Sequence, residues 1–234
     1  MKTLKHIITE KLILNKSNSK REYNYHPKDK DELRDLLQKL LKKRGNDADL
    51  NDIDVSEIND MSWMFNSLDP HNIDISDWDV SNVTVMNNMF LGCRNFNSDI
   101  SDWDVSKVTD MYNVFFGCPN FNCNLSKWDV SKVKDMDRMF CRCEHFNSDL
   151  SRWNVSNVTE MQRMFYGCKR FNNGGNSDLS SWNVSQVNDM DEMFWGCERF
   201  NCDLSNWDVS NVKRMYAMFN KCTSLKNIPE WYIE

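Results

Sequence analysis

One phrase of 25 residues recurs along most of this chain. A tryptophan opens each copy, an Asp or Asn follows it, and Val-Ser comes next. The tryptophans are 25, 25, 25, 29 and 25 residues apart, at Trp78, Trp103, Trp128, Trp153, Trp182 and Trp207. Four extra residues at 173–176 account for the longer interval, a degenerate copy precedes the set at 53–56, and a shortened copy ends at Trp231. Self-similarity at a fixed period predicts an array of about seven stacked repeats.

A single copy predicts the structure of its coil. Trp103 and Val105 flank a polar residue, which is the alternation of a half-buried strand. Ser106 stands at an N-cap position before an apolar run with near-helical spacing. That run comprises Val108, Met111, Val114 and Phe115. We therefore expect an α/β fold, a leucine-rich-repeat-like solenoid of about seven 25-residue strand–turn–helix coils.

The repeat also resembles a known family. Its pattern, F-N-x-D-L-S-x-W-D-V-S-N-V-x-x-M-x-x-M-F-x-G-C, is similar to the repeat of BspA-type leucine-rich-repeat surface proteins, including their mycoplasma lipoprotein branch. The resemblance covers roughly residues 50–234. It implies a surface-exposed binding or adhesion protein without catalytic residues. The chain departs from many such proteins in showing no leader or anchor and in carrying a cysteine once per repeat.

The two ends of the array differ from its middle. We expect an N-terminal α/β cap over residues 1–50, with an amphipathic helix at 28–44 and short strand pieces within 7–14. The repeats then occupy 51–234 and end in a short C-terminal cap at 223–234. Caps are expected because the end coils of a repeat array would otherwise expose apolar edges.

Charge and hydropathy exclude several classes of function. Residues 1–46 carry 13 basic and 6 acidic residues, a net of +7, while the rest carries 16 and 29, a net of −13. The acidic body disfavours nucleic acid and anionic membrane as partners. No apolar run reaches the roughly 20 residues of a membrane helix. With no visible signal peptide or anchor, the sequence predicts a cytoplasmic protein, although proteins of the resembled family are often at the cell surface.

The sequence predicts no enzyme, no cofactor and no metal ligand set. Its four histidines are scattered, and it contains no nucleophile motif and no phosphate-binding glycine loop. The cysteine column is expected to be a ladder of reduced, buried thiols, at Cys93, Cys118, Cys143, Cys168, Cys197 and Cys222.

Two columns of Asp and Asn leave an alternative open. One follows each tryptophan and the other begins with Asp74 and Asp99. Calcium between coils would offset the repulsion of stacked carboxylates. Local hydrogen bonds from backbone N–H groups would serve equally, and the Asn members of both columns favour them.

Two rows of varied residues are the candidate binding sites. The first row projects from the expected sheet face, in line with the acidic column, and comprises Asp77, Asp102, Lys127, Arg152, Ser181 and Asn206 with Asp79, Asp104, Asp129 and Asp208. The second is an apolar row, Leu91, Phe116, Tyr166 and Trp195. The expected function is non-catalytic recognition of a protein or glycan, as in adhesion. The alternatives are an intracellular scaffold or structural repeat protein and a calcium-stabilised binding protein.

Overall fold

The computed structural model describes residues 22–233. Within that range the one α-helix, α1, spans Lys30–Arg44, and a 3-10 turn spans Asn173–Gly175. Asp29 caps α1 by accepting the N–H of Glu32 at 2.9 Å. The described residues contain no extended strand, and parallel pairing between coils occurs as isolated bridges.

Seven coils stack in parallel register. Bridges join residues one repeat apart, and the longest series runs through Asp60, Val85, Asp110, Asp135, Glu160, Asp189 and Arg214. An equivalent eight-residue segment starts at each of these residues, and we call the stack of all seven segments the amide ladder. Its members are residues 60–67, 85–92, 110–117, 135–142, 160–167, 189–196 and 214–221.

The expected α/β solenoid of strand–turn–helix coils is wrong. The apolar run in each coil is a succession of tight turns, each closed by a hydrogen bond from a buried residue to the carbonyl three residues earlier. In one coil these bonds run from Val108 to Val105 at 2.9 Å, from Val114 to Met111 at 3.4 Å and from Cys118 to Phe115 at 3.1 Å. Buried residues at intervals of three therefore imitate helical spacing.

Backbone N–H groups that bond outside these turns, and residues with positive φ, explain why no helix forms in the coil. The Met111 N–H donates to Asp135 of the next coil at 3.0 Å, so it is not available for a helical bond. Asn113 has φ 54°, in the left-handed region that interrupts a helix. Ser106, the expected N-cap, instead donates its own N–H to the Asp104 carboxylate at 3.0 Å.

Aromatic columns fill the interior of the stack. The Trp78 and Trp103 rings stack at 6.3 Å with 2° between their planes. Each indole also donates to a backbone carbonyl of the preceding coil, as Trp128 does to Ile100 at 3.1 Å. The tryptophans are thus buried by stacking and by turns, not by membership of a sheet.

Helix α1 packs on the first coil. Its residues Leu33, Leu37, Leu40 and Leu41 are buried in the common core. The expected helix at 28–44 is observed at Lys30–Arg44, and between residues 22 and 50 the strand component consists of two isolated bridges, Tyr25 with Ile53 and Asp49 with Asp74. The strand pieces expected within 7–14 lie outside the described residues.

The C-terminal segment extends the tryptophan column. Trp231 stacks on Trp207 at 6.1 Å and donates to the Leu204 carbonyl at 3.0 Å. Ile228 and Ile233 remain exposed. Across residues 22–233, no helix has the length and apolar character that crossing a bilayer requires.

Candidate functional site

The ten candidate residues of the first row are all exposed, and tight turns present them instead of a sheet. We call their surface the Asx face, and it consists of Asp77, Asp102, Lys127, Arg152, Ser181 and Asn206 with Asp79, Asp104, Asp129 and Asp208. In each coil of this face, the tryptophan between the two exposed residues points inward, and Trp128 is 3 % exposed. A uniform column of buried tryptophans therefore supports an exposed row whose residues vary.

Local hydrogen bonds hold the Asp and Asn columns. The Asp104 carboxylate accepts the N–H of Ser106 at 3.0 Å, and the Asn154 side chain accepts the N–H of Ser156 at 3.1 Å. Hydrogen bonds from Ser106 hold the pKa of Asp104 below its usual value. An amide oxygen and a carboxylate oxygen do the same work in these turns, which explains why Asn and Asp alternate.

No metal centre emerges from these columns. Among residues 22–233, no three His, Cys, Asp or Glu side chains are grouped as a metal ion would require. One oxygen of each column residue is already directed at its own turn, as at Asp203 and Asp208.

Opposite charges meet at the middle of the Asx face. The Lys127 ammonium lies 2.6 Å from an Asp102 carboxylate oxygen, with side chains 70 % and 74 % exposed. An ion pair this exposed contributes about 0–1 kcal/mol to stability, so both side chains can exchange partners at little cost.

A polar groove lies next to this pair. It encloses about 470 Å³, and Asn122, Asn124, Asn147, Asp149, Arg152 and Gly174 line it. Gly174 belongs to the insertion, and its N–H donates to Asn147 at 3.0 Å. A Cβ at Gly174 would lie 2.9 Å from the Asp149 backbone nitrogen, and φ there is +65°, so glycine is required at this wall.

The apolar row is half-buried. Tyr166 and Trp195 stack on each other at 4.4 Å, with 4° between their planes. Arg163 lies over the Tyr166 ring at 5.9 Å and Lys221 over the Trp195 ring at 4.3 Å. Leu91 and Phe116, earlier in the row, are also half-buried. The ring faces of Tyr166 and Trp195 are thus occupied by neighbours within the chain.

The cysteine column forms no disulfide, and all nine cysteines are free. Each thiol of the column donates to a phenylalanine carbonyl of the preceding coil, as Cys143 does to Phe115 at 3.0 Å. Burial raises the pKa of Cys93 and Cys222 to about 12. Protonated thiols of this kind are poor nucleophiles and poor metal ligands.

Sequence reasoning missed a third acidic column. It lies at the start of the amide ladder and comprises Asp60, Asp110, Asp135, Glu160 and Asp189. Lys30 pairs with Asp60 at one end, and Arg214 pairs with Asp189 at the other. Between these ends, burial and the neighbouring Asp135 carboxylate raise the pKa of Asp137 to about 7. The signal was present as an acidic residue before the first Met of most repeats.

Comparisons with known proteins place the chain in a family. A family model described as "Mycoplasma protein of unknown function, DUF285" matches residues 34–124, 100–177 and 173–234. No curated protein matches the chain, and no solved structure does. The three matches together run across 34–234, which is most of the sequence. The chain therefore belongs to this mycoplasma repeat family, DUF285.

Proposed function

We propose that the protein is a non-catalytic binding module that recognises a protein or glycan through the Asx face. One observation carries the proposal: a uniform buried tryptophan column supports an exposed row whose chemistry changes from coil to coil. Such a row offers many weak contacts in fixed register, which is how repeat proteins build extended binding surfaces.

The middle of the face is the expected centre of contact. Lys127 and Arg152 are the basic members of a row that is otherwise acidic or neutral, and most of the residues that line the groove beside Arg152 are polar. An acidic side chain or a sugar carboxylate would complement these two cations. The motif's resemblance to BspA-type surface repeats supports adhesion as the biological role.

The experiment begins by identifying the partner at this face. A photo-crosslinking residue at Ser181, between the groove and the C-terminal coils, is compared in native cells with one at Lys39 on α1. A partner captured from Ser181 and not from Lys39 is then purified and titrated against the chain. We expect Lys127→Glu with Arg152→Glu to weaken binding at least tenfold, or about 1.4 kcal/mol.

Stability provides the control for this charge reversal. Exposed substitutions usually cost under about 0.5 kcal/mol, so the melting temperature of the double variant should stay within about 1–2 °C. Lys39→Glu is the matched variant and should leave both binding and stability unchanged. Equal binding by all three proteins would remove the Asx face from consideration.

An intracellular scaffold is the second candidate function. It is favoured by the nine free cysteines, eight of them buried, since stacked reduced thiols suit a reducing compartment. Protease treatment of intact cells separates the two roles. Cleavage of the chain supports adhesion, and full protection supports the scaffold.

A further inference from the structure

The amide ladder has a direction. At each junction its N–H groups donate from the earlier coil to carbonyls of the later coil, and among the described residues no backbone–backbone bond within the ladder runs the other way. In one junction Met190, Glu192, Phe194 and Gly196 donate to Arg214, Tyr216, Met218 and Asn220 at 2.8–3.0 Å. One end of the ladder must therefore present carbonyl oxygens and the other N–H groups.

Positive φ values produce this arrangement. Glu192 and Gly196 have φ of 53° and 73°, and the equivalent residues of the other coils are also positive. With a left-handed residue at every fourth position, the N–H groups of alternate residues point to the same side. Most of the intervening N–H groups bond within their own coil, as that of Asp191 does to the Asp189 carboxylate at 2.9 Å.

The carbonyl end is covered by cations from α1. The Arg34 guanidinium donates to the carbonyls of Met64 and Asn66, each at 2.8 Å, and to that of Trp63. Met64 and Asn66 occupy the ladder positions whose carbonyls accept N–H groups in every later coil. Lys30 binds the Asp60 carboxylate beside them. Arg34 thus replaces two of the four N–H groups that a preceding coil would supply, and Lys30 binds side chains of the other two acceptor residues.

The N–H end has no such cover. The equivalent donors in the last coil are the N–H groups of Met215, Ala217, Phe219 and Lys221. Within residues 22–233 these four groups make no hydrogen bond. Tyr232 packs edge-on against Phe219 at 5.0 Å and covers part of this end. The last coil therefore presents a row of amide donors to whatever lies next to it.

An open cavity adjoins the donor row. It encloses about 500 Å³, and its lining includes Lys213, Arg214, Met215, Tyr216 and Ile233. Tyr216 is 77 % and Ile233 84 % exposed. Asp191 also lines the cavity, but it accepts the Tyr216 N–H at 2.7 Å and lies 3.6 Å from Arg214. The surface combines aligned donors, cations and apolar side chains.

A second copy of the chain does not fit this end. Stacked head to tail, the second copy would meet the donor row with carbonyls that its own α1 already covers. Stacked tail to tail, two rows of N–H donors would face each other. The occupant must bring oxygen acceptors at strand-like spacing and negative charge near Lys213 and Lys221.

We propose that this end, residues 213–221, binds an extended acidic peptide segment of a partner protein. Its backbone carbonyls accept the four N–H groups and lengthen the ladder by one row, as in strand addition to a sheet edge. Its carboxylates lie against Lys213 and Lys221, and its apolar side chains pack on Tyr216 and Ile233. This site is separate from the Asx face and does not depend on it.

The test uses the full chain labelled with ¹⁵N and an acetylated, amidated (Glu-Val)4 peptide at pH 7.5. We expect the amide resonances of Met215, Ala217, Phe219 and Lys221 to shift on titration. Lys213→Glu with Lys221→Glu should raise the Kd at least tenfold. Lys39→Glu is the matched control and should leave the Kd unchanged.

Two comparison ligands and one sedimentation measurement decide the outcome. A (Lys-Val)4 peptide should leave the four amides unmoved. Free glutamate at the same carboxylate concentration should shift them much less, since it lacks aligned carbonyls. The proposal is overturned if the acidic peptide does not move these amides, if either comparison ligand moves them equally, or if sedimentation shows the chain dimerising through this end.

Discussion

Among single residues, Asp137 has the most unusual environment. Its carboxylate accepts the Gln162 N–H at 2.7 Å, yet no lysine or arginine pairs with it among the described residues. Arg138, the adjacent cation, instead binds the Tyr112 hydroxyl and the Gln162 side-chain oxygen, both at 2.9 Å. Burial and Asp135 therefore act on Asp137 without a compensating charge, which is why its pKa rises to about 7.

This environment makes stability depend on pH. The folded protein binds a proton at Asp137 that the unfolded chain releases near pH 4, so stability falls as pH rises from about 4 to about 7. Replacing Asp137 with Asn should reduce the loss between pH 5 and pH 8 by about 2 kcal/mol. Urea unfolding at both pH values measures the difference.

The control for this prediction is Asp104→Asn. Local hydrogen bonds lower the pKa of Asp104, so its replacement should not reduce the loss of stability. A loss as large in Asp137→Asn as in the unmodified protein would show that Asp137 titrates normally.

At the scale of elements, α1 and the first coil are joined by polar as well as apolar contacts. The leucine stripe supplies the apolar part. Arg34 donates to three carbonyls, and two of these, those of Met64 and Asn66, would otherwise lack a partner among the described residues. An orphaned buried acceptor costs about 1–3 kcal/mol, so the guanidinium matters more than an exposed charge would.

Replacing Arg34 with Met should therefore destabilise the protein by about 2–3 kcal/mol. Arg34→Lys should restore only part of the loss, because one ammonium cannot reach three carbonyls in a fork. Lys39→Met, on the exposed side of α1, is the matched control. Chemical denaturation gives the energies, and equal stability of the two Met variants would rule out the proposed role of Arg34.

At the scale of the whole molecule, one core runs from α1 to the last coil. The cysteine column follows this core from Cys93 to Cys222. The interior members are fully buried, while Cys222, in the last coil, is only half-buried. The open C-terminal end is therefore the part of the column that solvent reaches first.

Thiol labelling should report this gradient. With a thiol reagent at pH 8, we expect Cys222 to react before the other eight cysteines of the native protein, but more slowly than a free thiol because its pKa is raised, and all nine to react rapidly in urea. Cys222→Ser should remove this first phase, and Cys143→Ser should leave it unchanged. Rapid native labelling of several thiols would contradict a continuous core.

Particular elements show how far the sequence could predict the structure. The repeat length, the inward tryptophans and the helix near 28–44 follow from periodicity, since these residues must be buried whatever the backbone does. The strand–turn–helix coil did not follow, because turns that bury every third residue produce nearly the same apolar spacing as a helix. The outward position of Lys127 and Arg152 was predictable, since each precedes a residue that points inward.

The sequence by itself determined that the chain is a repeat array with a uniform apolar interior and a varied exterior row. Only the tertiary structure decided where the backbone N–H groups point. Their direction depends on residues with left-handed φ, such as Asn113 and Glu192, and the residue type at these positions does not predict that conformation. The direction of the amide ladder, its cover by Arg34 and its open end all result from hydrogen bonds between residues about 25 or more positions apart. Such contacts exist only once the coils have stacked.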